Sequence, residues 1–278
     1  MKNKSLVSVI IPVYNRPDLI KKLLISISKQ KYKKIETIVI DDASTDDTLK
    51  VAKKYSPGVY TRKHLERSTQ RNFGANKAKG EFLLFLDSDM ELTTNVIADC
   101  VKEIKIDKKI GGIVIPEKSV GKTFWEKIKA YERSFYNSAG DQITDAARFF
   151  NRAVFEKVGG FDEAIIGPED WDLAESIKKR GYKIGRIKSE IIHNEQILGL
   201  ASLIRKKYYY AVNAHKYLKK QNISPFSPKT IYFFRPVFYK NWKKVIFHPV
   251  LGMGMFIMFS FELLGGGIGY IVGKYFKK

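Results

Sequence analysis

The chain has 278 residues, of which 44% are hydrophobic and 28% charged, with one cysteine and a formal net charge of +21. This is the composition of a folded protein, long enough for one sizeable core with an appended element, and it excludes a disordered chain. A lone cysteine, Cys100, excludes an intrachain disulfide and a cysteine-built metal cluster, and fits a reducing compartment.

In chain order, Met1 to Ser5 is basic and leads into Val7 to Val13, a short apolar run broken by Pro12, which reads as a strand and not as a signal peptide. Arg16-Pro17-Asp18 starts a helix in which residues 19, 20, 23, 24 and 27 are apolar on one face. Ile35 to Ile40 is the next strand. It ends in Asp41-Asp42-Ala43-Ser44-Thr45-Asp46-Asp47-Thr48, where Ser44 or Thr45 can cap a helix to Tyr55. Strand, helix, strand, helix is the signature of right-handed βαβ units and a parallel sheet.

Val59-Tyr60 is a short third strand, and Glu66 to Lys79 is a helix carrying Arg67, Arg71, Asn72 and Asn76. Phe82 to Leu86 is uninterrupted apolar sequence between Gly80-Glu81 and Asp87-Ser88-Asp89, the pattern of a strand buried on both faces. In an extended chain residues i and i+2 point the same way, so the two carboxylates converge at the carboxyl rim of the sheet, where open α/β folds bind ligands. Paired carboxylates there suit a hard divalent ion, Mg2+ or Mn2+, shared with a diphosphate. Further on, Thr94 caps a helix to Ile106, Gly112 to Ile115 is a strand, and Gly121 to Tyr136 is an amphipathic helix. Glu169-Asp170 opens another, ending near Gly181, and Ile187 to Ile192 is a strand followed by His193.

From Gln196 to Phe261 there is no Asp or Glu, while Lys and Arg recur among Tyr, Phe and Trp, and the segment runs into the apolar stretch Val245 to Val272. That arrangement favours an anionic membrane surface over nucleic acid as the partner of the excess positive charge. The stretch is long enough to cross a bilayer, but Glu262 lies within it and Gly265-Gly266-Gly267 weakens a helix. Lysines flank both ends, Lys243 and Lys244 before and Lys274, Lys277 and Lys278 after. A re-entrant or in-plane anchor that turns at the glycines, with both lysine clusters on the cytoplasmic side, is therefore expected rather than one full span. The expected domains are residues 1–195, a basic aromatic segment over 196–244 at the membrane surface, and an apolar anchor over 245–278.

Val9-Ile10-Ile11-Pro12-Val13-Tyr14-Asn15, Val39 through Asp46, Arg71-Asn72-x-Gly74, Gly80 through Asp89, and Gly159-Gly160-Phe161-Asp162 followed by Glu169-Asp170 together resemble family 2 glycosyltransferases. The resemblance implies a GT-A fold, a Rossmann-like mostly parallel sheet flanked by helices, binding a UDP- or GDP-type nucleotide sugar with Mn2+ or Mg2+. By this likeness Pro12, Tyr14 and Asn15 line the nucleotide pocket, and Asp41 or Asp42 accepts a hydrogen bond from the base. Arg71 approaches the base or diphosphate, Asp87 and Ser88 lie on the ribose side, and Asp89 binds the metal, with Asp87 and His193 as further metal candidates. Asp170 matches the general base, with Glu169 beside it. A base is needed because a sugar hydroxyl is a poor nucleophile, whereas a phosphate acceptor is already anionic. The acid at 170 therefore points to an inverting transfer of one sugar to a hydroxyl of a membrane-bound acceptor, a lipid-linked glycan in the first instance, rather than to a polyprenyl phosphate.

Two features depart from the family pattern. Gln-x-x-Arg-Trp, by which processive relatives grip a polymer, is absent after residue 170, and Arg148-Phe149-Phe150-Asn151-Arg152 stands where relatives have a small-residue acceptor loop. A sugar-phosphate nucleotidyltransferase is the rival enzyme, but the first turn, Tyr14-Asn15-Arg16-Pro17, has no Gly-rich phosphate loop. The non-enzymatic rivals are a nucleotide-sugar binding protein and a basic nucleic-acid module.

Overall fold

The computed structural model describes residues 5–137, 140, 141, 143 and 145–276. The basic residues 1–4 and the last two lysines of the expected flank, Lys277 and Lys278, lie outside the described residues. In chain order the elements are β1 (Val7–Val13), α1 (Pro17–Ser28), β2 (Ile35–Asp41), α2 (Thr48–Tyr55), β3 (Gly58–Thr61), α3 (Arg67–Lys77), β4 (Phe82–Phe85), β5 (Met90–Leu92), α4 (Val96–Ile104), β6 (Ile110–Val114) and β7 (Glu117–Val120). There follow α5 (Phe124–Arg133), β8 (Ala147–Asn151), α6 (Arg152–Lys157), α7 (Glu169–Lys179), β9 (Lys183–Arg186), β10 (Ile191–Asn194), α8 (Leu200–Gln221), α9 (Pro236–Lys240), α10 (Trp242–Phe247) and α11 (Pro249–Tyr275).

These elements form two compact units. The first comprises Met1–Pro116, Ala146–Glu163 and Glu169–Ile192, and the second Glu117–Asp145, Ala164–Pro168 and His193–Lys278. Residues 117–145 and 164–168, expected within the amino-terminal domain, thus group with the carboxyl-terminal part.

The first unit is built on a seven-stranded sheet in the order β3-β2-β1-β4-β8-β6-β9. β1 pairs in parallel with β2 and β4, and β2 with β3, whereas β8 runs antiparallel to both β4 and β6. Alternation along each strand fills two cores. Val7, Val9, Ile11, Val39, Leu84 and Phe149 face one side with α1 and α4, while Ile10, Ile40, Leu83, Phe85 and Phe150 face the other with α6 and α7. Covering both faces removes the need for polar alternation, which is why β4 reads as continuous apolar sequence.

Two glycines fix how closely the chain packs here. A Cβ on Gly74 of α3 would lie 2.4 Å from Ile10 Cγ2, and one on Gly80 would lie 2.7 Å from the Ser8 amide nitrogen and 2.8 Å from the Leu6 carbonyl oxygen. α3 therefore lies directly on β1, and the turn into β4 fits only without a side chain.

The structure redraws several expected elements. α2 begins at Thr48, later than a Ser44 or Thr45 cap would place it, because those hydroxyls serve the neighbouring loop: Ser44 Oγ accepts from the Asn15 amide at 3.0 Å. Arg148 to Asn151, noted above as a departure from the family pattern, lie in β8, whose Phe149 and Phe150 are fully buried. The strand expected over residues 187–192 is interrupted at Lys188-Ser189-Glu190, so that β9 precedes it and β10 begins at Ile191.

In the second unit α5 opens with a capping box. Thr123 Oγ1 accepts from the Glu126 amide, and Glu126 Oε2 accepts from the Thr123 amide at 2.9 Å. Its buried Ile128 and Tyr131, with Phe135 just past its end, join Leu203, Phe238, Met255, Met258 and Phe259 in one core. α11 is a single continuous helix through Gly265, Gly266 and Gly267, which overturns the expected turn at those residues. Gly265 and Gly269 of this helix face a neighbouring backbone, whereas a Cβ on Gly266 or Gly267 would meet nothing within 4 Å. A Cβ on Gly265 would lie 2.7 Å from the Ile204 carbonyl oxygen and one on Gly269 2.4 Å from that of Tyr208, so close packing on α8 offsets their weak propensity.

Overpacking a closed turn costs about 1–3 kcal/mol. Gly80→Ala is accordingly expected to lower unfolding stability by about that amount in a denaturant titration, and a midpoint equal to that of the parent would refute the close approach.

Candidate active site

The carboxyl ends of β1, β2 and β4 lie side by side, with Val13 opposite Asp41 and Ile10 opposite Phe85 in register. The residues that follow these ends, Tyr14, Asp42 and Asp87, therefore share one rim of the sheet. Strand order reverses direction about β1, with β2 on one side and β4 on the other, the place where open α/β sheets receive ligands.

Arg71 of α3 is the centre of this rim. It is fully buried, its Nη2 lies 2.7 Å from Asp87 Oδ1, and its Nη1 lies 2.8 Å from Asp170 Oδ1 and 3.7 Å from Glu169 Oε1. Its guanidinium carbon also stands 5.2 Å from the centre of the Phe161 ring. One side chain thus joins the acid after β4 to the acids that open α7. Asp87 and Asp170 take up its Nη2 and Nη1, while its Nε has no hydrogen-bond partner.

Two more cations complete the cluster. Arg67, one helical turn before Arg71, lies 2.9 Å from Glu169 Oε1 and 3.9 Å from Asp87 Oδ1, and Arg148 of β8 lies 3.4 Å from Asp87 Oδ2. Helical i, i+4 spacing could have linked Arg67 to Arg71 from the sequence. Arg148 gave no such signal, since its partner Asp87 lies 61 residues away.

The remaining motif residues lock this arrangement in place. Asn72 Nδ2 donates to the Phe161 carbonyl at 2.8 Å and Asn72 Oδ1 accepts from the Phe161 amide at 3.0 Å, so Asn72 ties α3 to Gly160-Phe161. Gly160 has φ +71°, a conformation that suits glycine. Arg71, Asn72 and Gly74 therefore serve three separate ends: the acids, the Phe161 loop and β1.

On the other side of β1, Asn15 Oδ1 accepts from the Thr45 amide at 2.9 Å, and the Arg16 amide donates to Thr48 Oγ1 at 2.7 Å. Asn15 therefore holds two rim loops together, while the Tyr14 ring is half exposed and 4.7 Å from the His64 ring. Pro12 lies inside β1, opposite Ile40. The structure separates the two acids that the sequence left undecided. Asp41 is fully buried and neither carboxylate oxygen has a hydrogen-bond partner. Asp42 Oδ1 accepts from the Leu65 amide at 3.0 Å and from Gln70 Nε2, and Asp42 Oδ2 faces His64 Nδ1 at 2.7 Å. His64 is 66% exposed, so a ligand that displaces it reaches Asp42, whereas Asp41 is sealed. No functional role was expected of His64.

Asp87-Ser88-Asp89 is a turn closed by the Met90 amide donating to the Asp87 carbonyl at 3.2 Å, so the extended-chain argument for parallel carboxylates does not apply. All three side chains are partly exposed. Among the described residues, no three His, Cys, Asp or Glu side chains form a ready-made cation cage. The donor chemistry at Asp89 nevertheless fits a hard divalent ion, provided that other oxygens complete the shell. His193 belongs to the second unit, where its Nδ1 lies 2.9 Å from Glu117 Oε2 and 2.8 Å from Arg133 Nη1.

Glu169, buried beside Asp170, has a displaced protonation equilibrium. Burial raises its pKa, and the neighbouring Asp170 adds to this, while Arg67 and Arg71 pull it back without cancelling the effect.

Comparison with known proteins gives a match to the family described as Glycosyl transferase family 2 over residues 8–159. Poly(ribitol-phosphate) beta-N-acetylglucosaminyltransferase TarS of Staphylococcus aureus is 27% identical over 237 residues, which cover 78% of this chain and 38% of that protein. The chain therefore spans well under half of that relative's length. GalNAc(5)-diNAcBac-PP-undecaprenol beta-1,3-glucosyltransferase of Campylobacter jejuni is 34% identical over 103 residues, 34% of this chain and 33% of that enzyme. Among solved structures, mannosyltransferase PcManGT from Pyrobaculum calidifontis, in complex with GDP-Man and Mn2+, superposes with a TM-score of 0.67 at 19% identity, covering 98% of this chain and 89% of that one. TarS 1-349 in complex with UDP-GlcNAc superposes with a TM-score of 0.56 at 18% identity, covering 97% and 90%.

The raised equilibrium of Glu169 makes a signed prediction. A carboxyl whose folded pKa exceeds its unfolded one contributes stability that is complete at low pH and is lost as pH rises through the folded value. Glu169→Gln should therefore gain melting temperature relative to the parent as pH climbs from the ordinary glutamate value of 4.5 through the raised one. A difference in melting temperature that stays constant across that window would show that Glu169 titrates normally.

Proposed function

The chain belongs to glycosyl transferase family 2, and from that membership we propose that it transfers one sugar, with inversion, from a nucleotide diphosphate sugar to a hydroxyl of a membrane-bound acceptor. The observation that carries this reading is the Arg71 bridge, which brings Asp87, from the rim after β4, within one guanidinium of Asp170. Donor-side and acceptor-side acids at such a separation suit a displacement in which the nucleotide leaves on one side and the acceptor attacks from the other.

In this reading Asp170 takes the acceptor hydroxyl proton as the new bond forms. Arg71 and Glu169 position it, and the carboxylate accepts because its second oxygen is not the one turned to Arg71. Asp42 accepts the N–H of a uracil or guanine edge, with Tyr14 beside it offering a ring face. Asp89, with Asp87 beside it, would hold a divalent ion, Mn2+ or Mg2+, which would neutralise charge on the leaving diphosphate. PcManGT, with GDP-Man and Mn2+, and TarS, with UDP-GlcNAc, support this choice of donor class and ion through the likeness of their folds.

The membrane-bound acceptor rests on the second unit and on the undecaprenol-linked substrate in the name of the Campylobacter relative. α11 is the one helix among the described residues that is long and apolar enough to enter a bilayer. A catalytic unit tethered on the cytoplasmic side would meet a tethered acceptor at raised local concentration.

Asp89→Ala should abolish donor hydrolysis and transfer together. Asp170→Asn should keep donor binding but lose about 100-fold to 10,000-fold in transfer; an unchanged transfer rate would remove Asp170 from the chemistry. A rise in melting temperature with UDP plus Mn2+, and none with DNA, is expected; the opposite pattern would favour a nucleic-acid module.

A further inference from the structure

α11 inverts the usual amphipathic helix of a water-soluble unit. Its inner side carries a charge, Glu262, and a ridge of glycines, whereas its outer side is apolar. Val250, Met253, Ile257, Leu264, Ile268 and Ile271 recur at helical spacing and are between 42% (Ile257) and 68% (Met253) exposed. Between Val250 and Ile271 the polar side chain on that outer side is Ser260, whose hydroxyl donates back to the Phe256 carbonyl at 3.0 Å. Water gains nothing from such a face, and an exposed apolar strip of this length marks a contact surface.

Inner-side packing determines how that surface can meet lipid. Glu262 Oε1 lies 3.3 Å from Lys129 Nζ of α5, and Glu262 Oε2 lies 3.5 Å from Lys207 Nζ of α8. Gly265 approaches the carbonyl of Ile204, and Gly269 that of Tyr208, so α8 runs parallel to α11 in close backbone contact. α8 bears exposed Arg205, Lys206, Lys216, Lys219 and Lys220. An α11 upright in a bilayer would drag this helix and the Glu–Lys pairs into hydrocarbon, where each charge costs a few kcal/mol. Lying flat, α11 immerses its outer face alone and leaves α8 in water.

The surroundings name the lipid. No Asp or Glu occurs from Gln196 to Phe261. Exposed Lys240 and Lys243 with Trp242 and Tyr239 stand before α11, and Lys274 and Tyr275 are exposed at its end, the aromatic and basic pairing of an anionic headgroup layer.

Resting on the membrane reading above, we infer that α11 lies in the plane of an anionic membrane, half embedded, with its Val250-to-Ile271 face in the acyl region and its Glu262 face held by α5 and α8. The full chain is to be sedimented with vesicles of phosphatidylglycerol and phosphatidylcholine, and with phosphatidylcholine alone. The expected result is co-sedimentation with the anionic vesicles and at least about tenfold weaker binding of Leu264→Lys/Ile268→Lys. These side chains are exposed, so the variant should melt like the parent; binding undiminished in that variant would overturn the assignment of the face.

Orientation is read from Lys243→Cys/Lys274→Cys in reconstituted vesicles, labelled from outside with an impermeant maleimide and weighed intact; native Cys100 is buried. Two labels or none on each molecule place both helix ends on one side, as an in-plane helix requires, whereas one label on each molecule would mean a span and defeat the inference while leaving membrane attachment intact. Failure of the parent chain to sediment with either vesicle would instead bring down the membrane reading itself.

Discussion

Everything at the rim of the first unit depends on one buried guanidinium. Arg71 has no access to water, so its charge is stable only while Asp87 and Asp170 face it, and they are held close together only while it is there. Removing one partner of such a buried group commonly costs about 3–5 kcal/mol, because the remaining charge is stranded. The fold protects the arrangement from three sides. Gly74 seats α3 on β1, Asn72 fastens it to the Phe161 loop, and Phe161 closes over the guanidinium. The geometry proposed for catalysis and the stability of the fold here share the same residues.

The second unit handles buried charge differently. Lys129 meets Glu132 at 3.0 Å and Glu262 at 3.3 Å inside a helical core, and Lys207 meets the other oxygen of Glu262. Such pairs are weak evidence for stability, since desolvation consumes most of the attraction. What they do supply is rotational register. A helix as apolar as α11 could pack with any side inward, and the one acid fixes which side faces Lys129 and Lys207, leaving the apolar face outward.

Much of the first unit was legible in the sequence because its signals are local. The strand β4, the acids after it, and the alternation of strands and helices up to α4 all follow from periodicity and short turns. Legibility failed where a residue's partner lies far along the chain. Arg148 is paired with Asp87 across 61 residues, and its strand runs antiparallel in an otherwise parallel arrangement, so neither βαβ logic nor spacing placed it. Ser44 and Thr45 look like helix caps in isolation, but the loop of Asn15 claims them. Gly265 to Gly267 of α11 read as a break because propensity describes an isolated helix, whereas here the α8 backbone comes close enough to need Gly265 and, one turn on, Gly269. Asp41 and Asp42 were indistinguishable as letters and differ only in what surrounds them.

Charge balance at the rim bears on how the proposed chemistry could be loaded. Asp87, Glu169 and Asp170 stand against Arg67, Arg71 and Arg148, so the cluster is close to neutral before any ligand arrives. A neutral cluster attracts a bare divalent ion weakly, because each acid is already screened by a guanidinium a few ångströms away. A diphosphate alone would meet Asp87 and Asp89 and be repelled. Ion and diphosphate arriving together would carry little net charge, and each would supply what the other lacks: the ion would quiet the repulsion at Asp89, and the phosphate oxygens would add ligands that the side chains by themselves leave short. For the function proposed here, the absence of a three-carboxylate cage among the described residues is then consistent with use of a metal, because the missing ligands would be the substrate's own oxygens.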